Sequence, residues 1–221
     1  MIIKKRLFLL TFFPLFVFCQ NSVEQKTKAE KIIKFDIGSL LGDMATNSTG
    51  IQLGIESELK DSYSFEQDLM YIFKFDRNNY QFPKIDIENI YGLKSSSELR
   101  YYLRKGIKPI LTDVYWGHNL ILQYTYAKRK QFDNQDKDYY FVNRFVFAFH
   151  EKIGLQFSLY KNIYFDISFG IGIRYISSNT VNDEFNNNNN ESEYPYVKPY
   201  NSGSKWFPSI TGGYKIGFKL K

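Results

Sequence analysis

Ile163-Tyr164-Phe165-Asp166-Ile167-Ser168-Phe169-Gly170-Ile171-Gly172-Ile173-Arg174-Tyr175 alternates without a break. Every odd position is large and apolar, while the even ones hold Tyr164, Asp166, Ser168, Gly170, Gly172 and Arg174. A helix would scatter such a series round its circumference. A strand puts the odd residues on one face and the even residues on the other. Seven consecutive matches identify a two-faced strand.

The same period runs through seven further segments. Lys31–Leu41 sets Ile33, Phe35, Ile37 and Leu41 against Lys34, Asp36 and Gly38, and Gly50–Leu59 sets Ile51, Leu53, Ile55 and Leu59 against Gln52, Gly54, Glu56 and Glu58. Tyr63–Phe75, Leu93–Leu103, Val114–Lys128, Tyr139–Leu159 and Ser209–Leu220 repeat the pattern. Eight strands follow, an even number. The intervening connections are 42–48, 60–62, 74–92, 104–112, 129–138, 160–162 and 177–208, and long ones fall mostly on the odd-numbered side. Short turns on one side and long loops on the other are the habit of outer-membrane barrels. The longest connection holds the run Asn186–Asn190, too polar to pack.

Residue size decides which face points inward. A barrel of eight strands has room inside for only a modest filling of side chains. The Phe, Tyr, Ile and Leu of the apolar face would overfill it, whereas the other face offers Gly54, Gly154, Gly170, Gly172, Gly213 and Gly217 among charged and hydroxylated residues. The predicted fold is therefore an all-β, eight-stranded antiparallel up-and-down transmembrane β-barrel, apolar outside and polar within. Trp116, Tyr124, Tyr126, Phe157, Tyr175 and Phe218 are placed to form interfacial girdles. Composition agrees: 19% of the 221 residues are aromatic, with 21 Phe and 18 Tyr against only 6 Pro, a mixture that favours long strands.

Residues 1–19 have a basic start at Lys4, Lys5 and Arg6, an apolar run over Leu7–Phe18, and then Cys19. That order is the pattern of a secretory signal peptide. Cleavage after Cys19 is expected, so that the mature chain begins at Gln20; the alternative makes Cys19 the lipidated first residue of a lipoprotein. The expected organisation is a signal peptide over 1–19, a short periplasmic segment over 20–30 and the barrel over 31–221, with the protein in the outer membrane. One cysteine cannot form an internal disulfide.

The inward charges come out nearly balanced: Asp36, Glu56, Glu58, Glu66, Asp68, Glu98 and Asp166 against Lys34, Arg100, Lys152, Arg174, Lys215 and Lys219. Charges confined in a narrow lumen must pair. The expected result is a structural plug rather than a proton path or a catalytic cluster. Two residues break the parity, since Glu151 and Gln67 fall on the lipid side. A bulge over 148–152, or a strand rising beyond the bilayer, is the expectation for Glu151.

In Ser96-Ser97-Glu98-Leu99-Arg100-Tyr101-Tyr102-Leu103, and in the closing Gly213-Tyr214-Lys215-Ile216-Gly217-Phe218, the chain resembles small outer-membrane β-barrel proteins of unknown function. It is similar in plan to OmpA/OmpX-type barrels. The resemblance spans about residues 32–221 and rests on pattern rather than on a motif that does chemistry.

Function is read more coarsely. A non-enzymatic envelope protein with a structural or surface-binding role, exposing loops at the cell surface, is the preferred expectation. The alternatives are a membrane-embedded lipid-modifying hydrolase or acyltransferase, and a narrow pore. A hydrolase would need a His beside a Ser or carboxylate, and there are only two histidines. His118, beside Trp116 on the lipid side, reads as a girdle residue; His150 points inward, within reach of Ser168 or Asp166, and reads as a lumen hydrogen-bonder before it reads as a base. No metal-ligand spacing and no phosphate loop is present, so no cofactor is implied. Any external ligand is expected to meet Tyr194, Tyr196, Tyr200 and Trp206 at the base of the longest loop. The partner is the lipid bilayer of the outer membrane, with no nucleic acid, because the positive charges are scattered. The barrel is expected to be monomeric.

Overall fold

The computed structural model describes residues 31–41, 49–60, 62–73, 87–103, 113–130, 139–160, 162–181 and 203–220. Eight strands, β1 (Lys31–Asp36), β2 (Gly50–Lys60), β3 (Tyr63–Phe73), β4 (Ile87–Tyr102), β5 (Asp113–Lys130), β6 (Tyr139–Tyr160), β7 (Ile163–Val181) and β8 (Gly203–Leu220), pair in sequence order. All pairings are antiparallel, and β8 closes on β1. The all-β up-and-down barrel read from the sequence is the fold. Residues 1–30, the Asn186–Asn190 run and Tyr194, Tyr196 and Tyr200 lie outside the described residues.

Pairing fixes the shape. Starting from Phe218 and stepping across the ladders through Ile33, Ile55, Gln67, Ser97, Leu120, Phe149 and Ile173, one returns to β8 at Pro208. The stagger of ten residues tilts the strands by about 40° from the barrel axis, as strand spacing and rise require. Each residue then gains about 2.5 Å of height.

The polarity is inverted relative to a soluble barrel. Along β7, Phe169 and Ile171 stand 59% and 60% exposed, whereas Asp166, Ser168 and Arg174 between and beside them are buried. The buried set is dominated by Lys, Arg, Glu, Asp, Ser and amide side chains, and the apolar clusters inside are small pairs such as Ile121 with Ala148. Water would leave the outer band without a driving force to fold; a hydrocarbon solvent supplies the match. Aromatic pairs border the band. At the short-turn end are Tyr63 with Tyr101 (5.0 Å between ring centres) and Phe157 with Phe165 (5.5 Å); toward the other end are Tyr91 with Tyr126 (5.0 Å) and Tyr175 with Trp206 (5.1 Å).

Strand limits on β1, β4, β7 and β8 differ from those the alternation predicts. β1 stops at Asp36 and a helical turn, α1 (Gly38–Leu41), follows, where the alternation predicts strand to Leu41. Asp36 causes the stop: its Oδ1 accepts from the Ser39 amide at 3.2 Å and its carbonyl from Ser39 Oγ at 2.8 Å, a capped turn that competes with the ladder. β4 begins at Ile87, and β8 at Gly203, so both reach further from the short turns than expected. β7 likewise continues through Ser177-Ser178-Asn179 to Val181. That added length of β7 is polar on both faces, which erases the period-two signal while the ladder hydrogen bonds continue. Trp206, expected in the long loop, lies in the added part of β8, 56% exposed against Tyr175 and Phe147 in the outer aromatic border.

Candidate functional site

Antiparallel pairing brings inward residues of all eight strands together near the short turns. Lys34, from β1, is the first hub: its Nζ lies 2.7 Å from Glu56 Oε2, 2.9 Å from Glu66 Oε2 and 2.7 Å from Asp166 Oδ2, and donates to Gln156 Oε1 at 2.6 Å. Arg100, from β4, is the second. Its Nε donates to Glu98 Oε1 at 2.7 Å, Nη1 to Asp166 Oδ2 at 2.7 Å, and Nη2 stands 2.9 Å from Glu66 Oε2. Lys152 reaches Glu98 Oε2 at 2.6 Å; Lys215 pairs with Glu66 and, at 2.6 Å, with Asp68 Oδ2. Tyr102 donates to Glu56 Oε1 at 2.6 Å and Tyr115 to Asp166 Oδ1 at 2.8 Å, while Ser64 bonds Glu56.

The cluster is closed to solvent: Arg100 and Glu66 are wholly buried. Each ion sits among several opposite charges and neutral donors, the condition under which burying charge is tolerable. Chemically the cluster can hold strands in register and block passage.

Of the residues expected in the network, Glu56, Glu66, Glu98, Arg100, Lys152, Asp166 and Lys215 meet. Asp36 is buried, caps α1, and lies directly opposite Lys215 across the β1–β8 ladder. Arg174 does not join them; it stands eight residues above Asp166 along β7, about 20 Å higher, with its guanidinium 6.0 Å from the Phe207 ring. Sequence reasoning missed Tyr115, whose ring lies under Arg100 at 4.2 Å. The signal was there in Gly154, its direct partner across β5–β6: a methyl group at 154 would overlap the Tyr115 ring.

His150 is buried with Nε2 2.9 Å from Ser209 Oγ, so the hydroxyl it faces belongs to β8 rather than to Ser168, and Asp166 is bound by Lys34, Arg100 and Tyr115. His118 lies outside, where its Nδ1 is 2.8 Å from Glu151 Oε1 and Trp116 Nε1 donates to Glu151 Oε2 at 2.6 Å. No bulge accompanies Glu151: the β5–β6 ladder is regular from Asp113↔Gln156 to Lys130↔Tyr139, and on its other side the β6–β7 ladder shifts only between Ser158 and Tyr160. The parity was right, and neighbours across the strand, rather than a kink, accommodate the carboxylate.

Among the described residues, no group of three or more His, Cys, Asp and Glu is arranged to hold a metal ion. Compared with known proteins, the fold is similar to that of a major outer membrane protein of Thermus thermophilus, with a TM-score of 0.51 over 87% of this chain and 100% of that one, at 9% sequence identity. No family model matches the chain, and no curated protein matches it in sequence. At that identity the likeness is one of fold: the chain has the fold of an outer-membrane β-barrel.

Proposed function

We propose that this barrel resides in an outer membrane as a closed, non-enzymatic scaffold with a structural or surface-binding role. The observation that carries the reading is the pairing of an apolar outer band with a lumen blocked by the Lys34–Arg100 network. A pore would need a continuous polar path, and the network fills the cross-section with ion pairs of 2.6–2.9 Å. A catalytic lumen would need a carboxylate or hydroxyl able to act on a substrate; Glu98 and Asp166 are each held by two cations and Glu66 by three.

Surface binding is supported by the uneven height of the wall. A strand of 9–11 residues suffices to cross a bilayer, yet β5, β6, β7 and β8 have 18, 22, 19 and 18 residues. The excess stands beyond Tyr91, Tyr126, Tyr175 and Trp206 as a rigid sheet, and its outer edge carries Asn143, Ser177 and Asn179 in place of the apolar band. A preformed sheet loses little freedom when a ligand docks.

Planar-bilayer recordings of the purified barrel are the test, together with fractionation of cells that make it. The protein should be found with outer-membrane lipid and should produce no stable conductance. Uniform open-channel steps would sink the closed-scaffold reading, and recovery from the soluble fraction would sink the location.

A further inference from the structure

Four neighbouring strands carry polar side chains on the outer face, at the middle of the apolar band. On β4, Ser95 and Ser97 flank the midpoint of Tyr91 and Tyr101, and Gln67 on β3 lies directly opposite Ser97; on β6, Glu151 lies halfway between Phe145 and Phe157. Six residues separate Glu151 from either ring, about 15 Å of depth. His118 on β5 faces Glu151 directly across the ladder.

Within one barrel the belt is partly satisfied. Gln67 Nε2 donates to Ser95 Oγ at 3.0 Å, Ser97 Oγ donates to Gln67 Oε1 at 2.6 Å, and both oxygens of Glu151 are taken by Trp116 and His118. The His118 side chain nevertheless remains 54% exposed, and that of Glu151 36% exposed. Ionisable groups at mid-depth are costly against hydrocarbon and belong at protein contacts. Lipid ester and headgroup atoms lie at the borders of the bilayer, too far away to meet them.

We propose that the β3–β6 face is where a second copy of this barrel packs in the membrane. The inference rests on the membrane location argued above. A two-fold axis along the membrane normal leaves every residue at its own depth, so a mid-depth belt must meet a mid-depth belt. Strand order does the rest: with the axis between β4 and β5, β4 of each copy meets β5 of the other, and β3 and β6 flank the contact as the walls curve away. His118 then faces the mate's Ser95 and Ser97 at the contact, while Gln67 and Glu151, each bonded to a neighbour in its own barrel, hold those contact side chains from the flanks. Donors meet acceptors on both sides of the axis, whereas an unrelated partner would have to carry its own polar belt at matching depth. The monomer expected from the sequence gives way here, because the belt exists only once four strands are set side by side.

Leu120, beside Ser97 on the same face, and Tyr214, on the opposite wall, provide the test. Membranes holding Leu120→Cys should yield, with a short bis-maleimide, a species of twice the monomer mass, while Tyr214→Cys and the unsubstituted protein stay single. Adding Gln67→Leu, His118→Leu and Glu151→Leu to Leu120→Cys should abolish that species. Cross-linking that survives the three leucines, a Leu120→Cys product with a protein of another mass, or no product at all would each overturn the dimer. An alkaline carbonate wash separates the two readings: a protein washed off would refute the membrane location itself, whereas one retained without cross-linking refutes only the dimer.

Discussion

Replacing Arg100 by methionine should lower the stability of the barrel by about 3–5 kcal/mol, the usual cost of leaving buried charge uncompensated. The guanidinium is wholly buried and binds Glu98, Asp166 and Glu66 within 2.9 Å, so nothing from solvent can replace it. The network already holds the carboxylates of Glu56, Glu66, Asp68, Glu98 and Asp166 against the cations of Lys34, Arg100, Lys152 and Lys215. Losing a cation widens that excess of negative charge in a space closed to solvent. Guanidinium unfolding of the protein refolded in phospholipid vesicles measures the effect, and Arg100→Met with Asp166→Asn provides the control. Removing an acid together with the base should restore a large part of the loss, because the penalty is unbalanced charge and not missing volume. If the single variant unfolds at the same denaturant concentration as the parent protein, the cluster is not what holds β1, β3, β4 and β7 together.

How much of this was legible in the sequence divides along one physical line. Alternation reports which face a residue takes on its own strand, and together with residue size it places Lys34, Glu66, Glu98, Arg100, Asp166 and Lys215 inside and the Ile163–Tyr175 apolar series outside. It is blind to neighbours across the ladder. Arg174 has the same parity as Asp166 yet sits too high to meet it, because the ten-residue stagger sets depth and no single strand contains that number. Glu151 and Gln67 looked like errors of pattern for the same reason: Trp116 and His118 on β5, and Ser95 and Ser97 on β4, make sense of them only after the strands are paired. Where both faces turn polar, as in Ser177-Ser178-Asn179, alternation vanishes although the strand does not.

The outer band makes the sharpest distinction between lipid and water as its solvent. Phe169 is 59% exposed on β7, close to midway between Phe165 and Tyr175; its neighbours straight across the ladders are Ile153 and Gly212, and the nearest outward carboxylate, Glu151 on the diagonal, is already bound by Trp116 and His118. Tyr160, at the end of β6 beside a short turn, is 67% exposed at the border. In a bilayer, Phe169→Arg should cost about 2–4 kcal/mol and Tyr160→Arg about 0–1, since the penalty for a cation falls steeply from midplane to interface. Equilibrium unfolding from vesicles of fixed lipid composition reads both. On a wall facing water, both substitutions would expose a charge to the same solvent, and the difference would shrink to the few tenths typical of surface changes. Equal unfolding midpoints for the two variants would therefore mean that Phe169 does not face hydrocarbon, and the inverted polarity of the barrel would need another explanation.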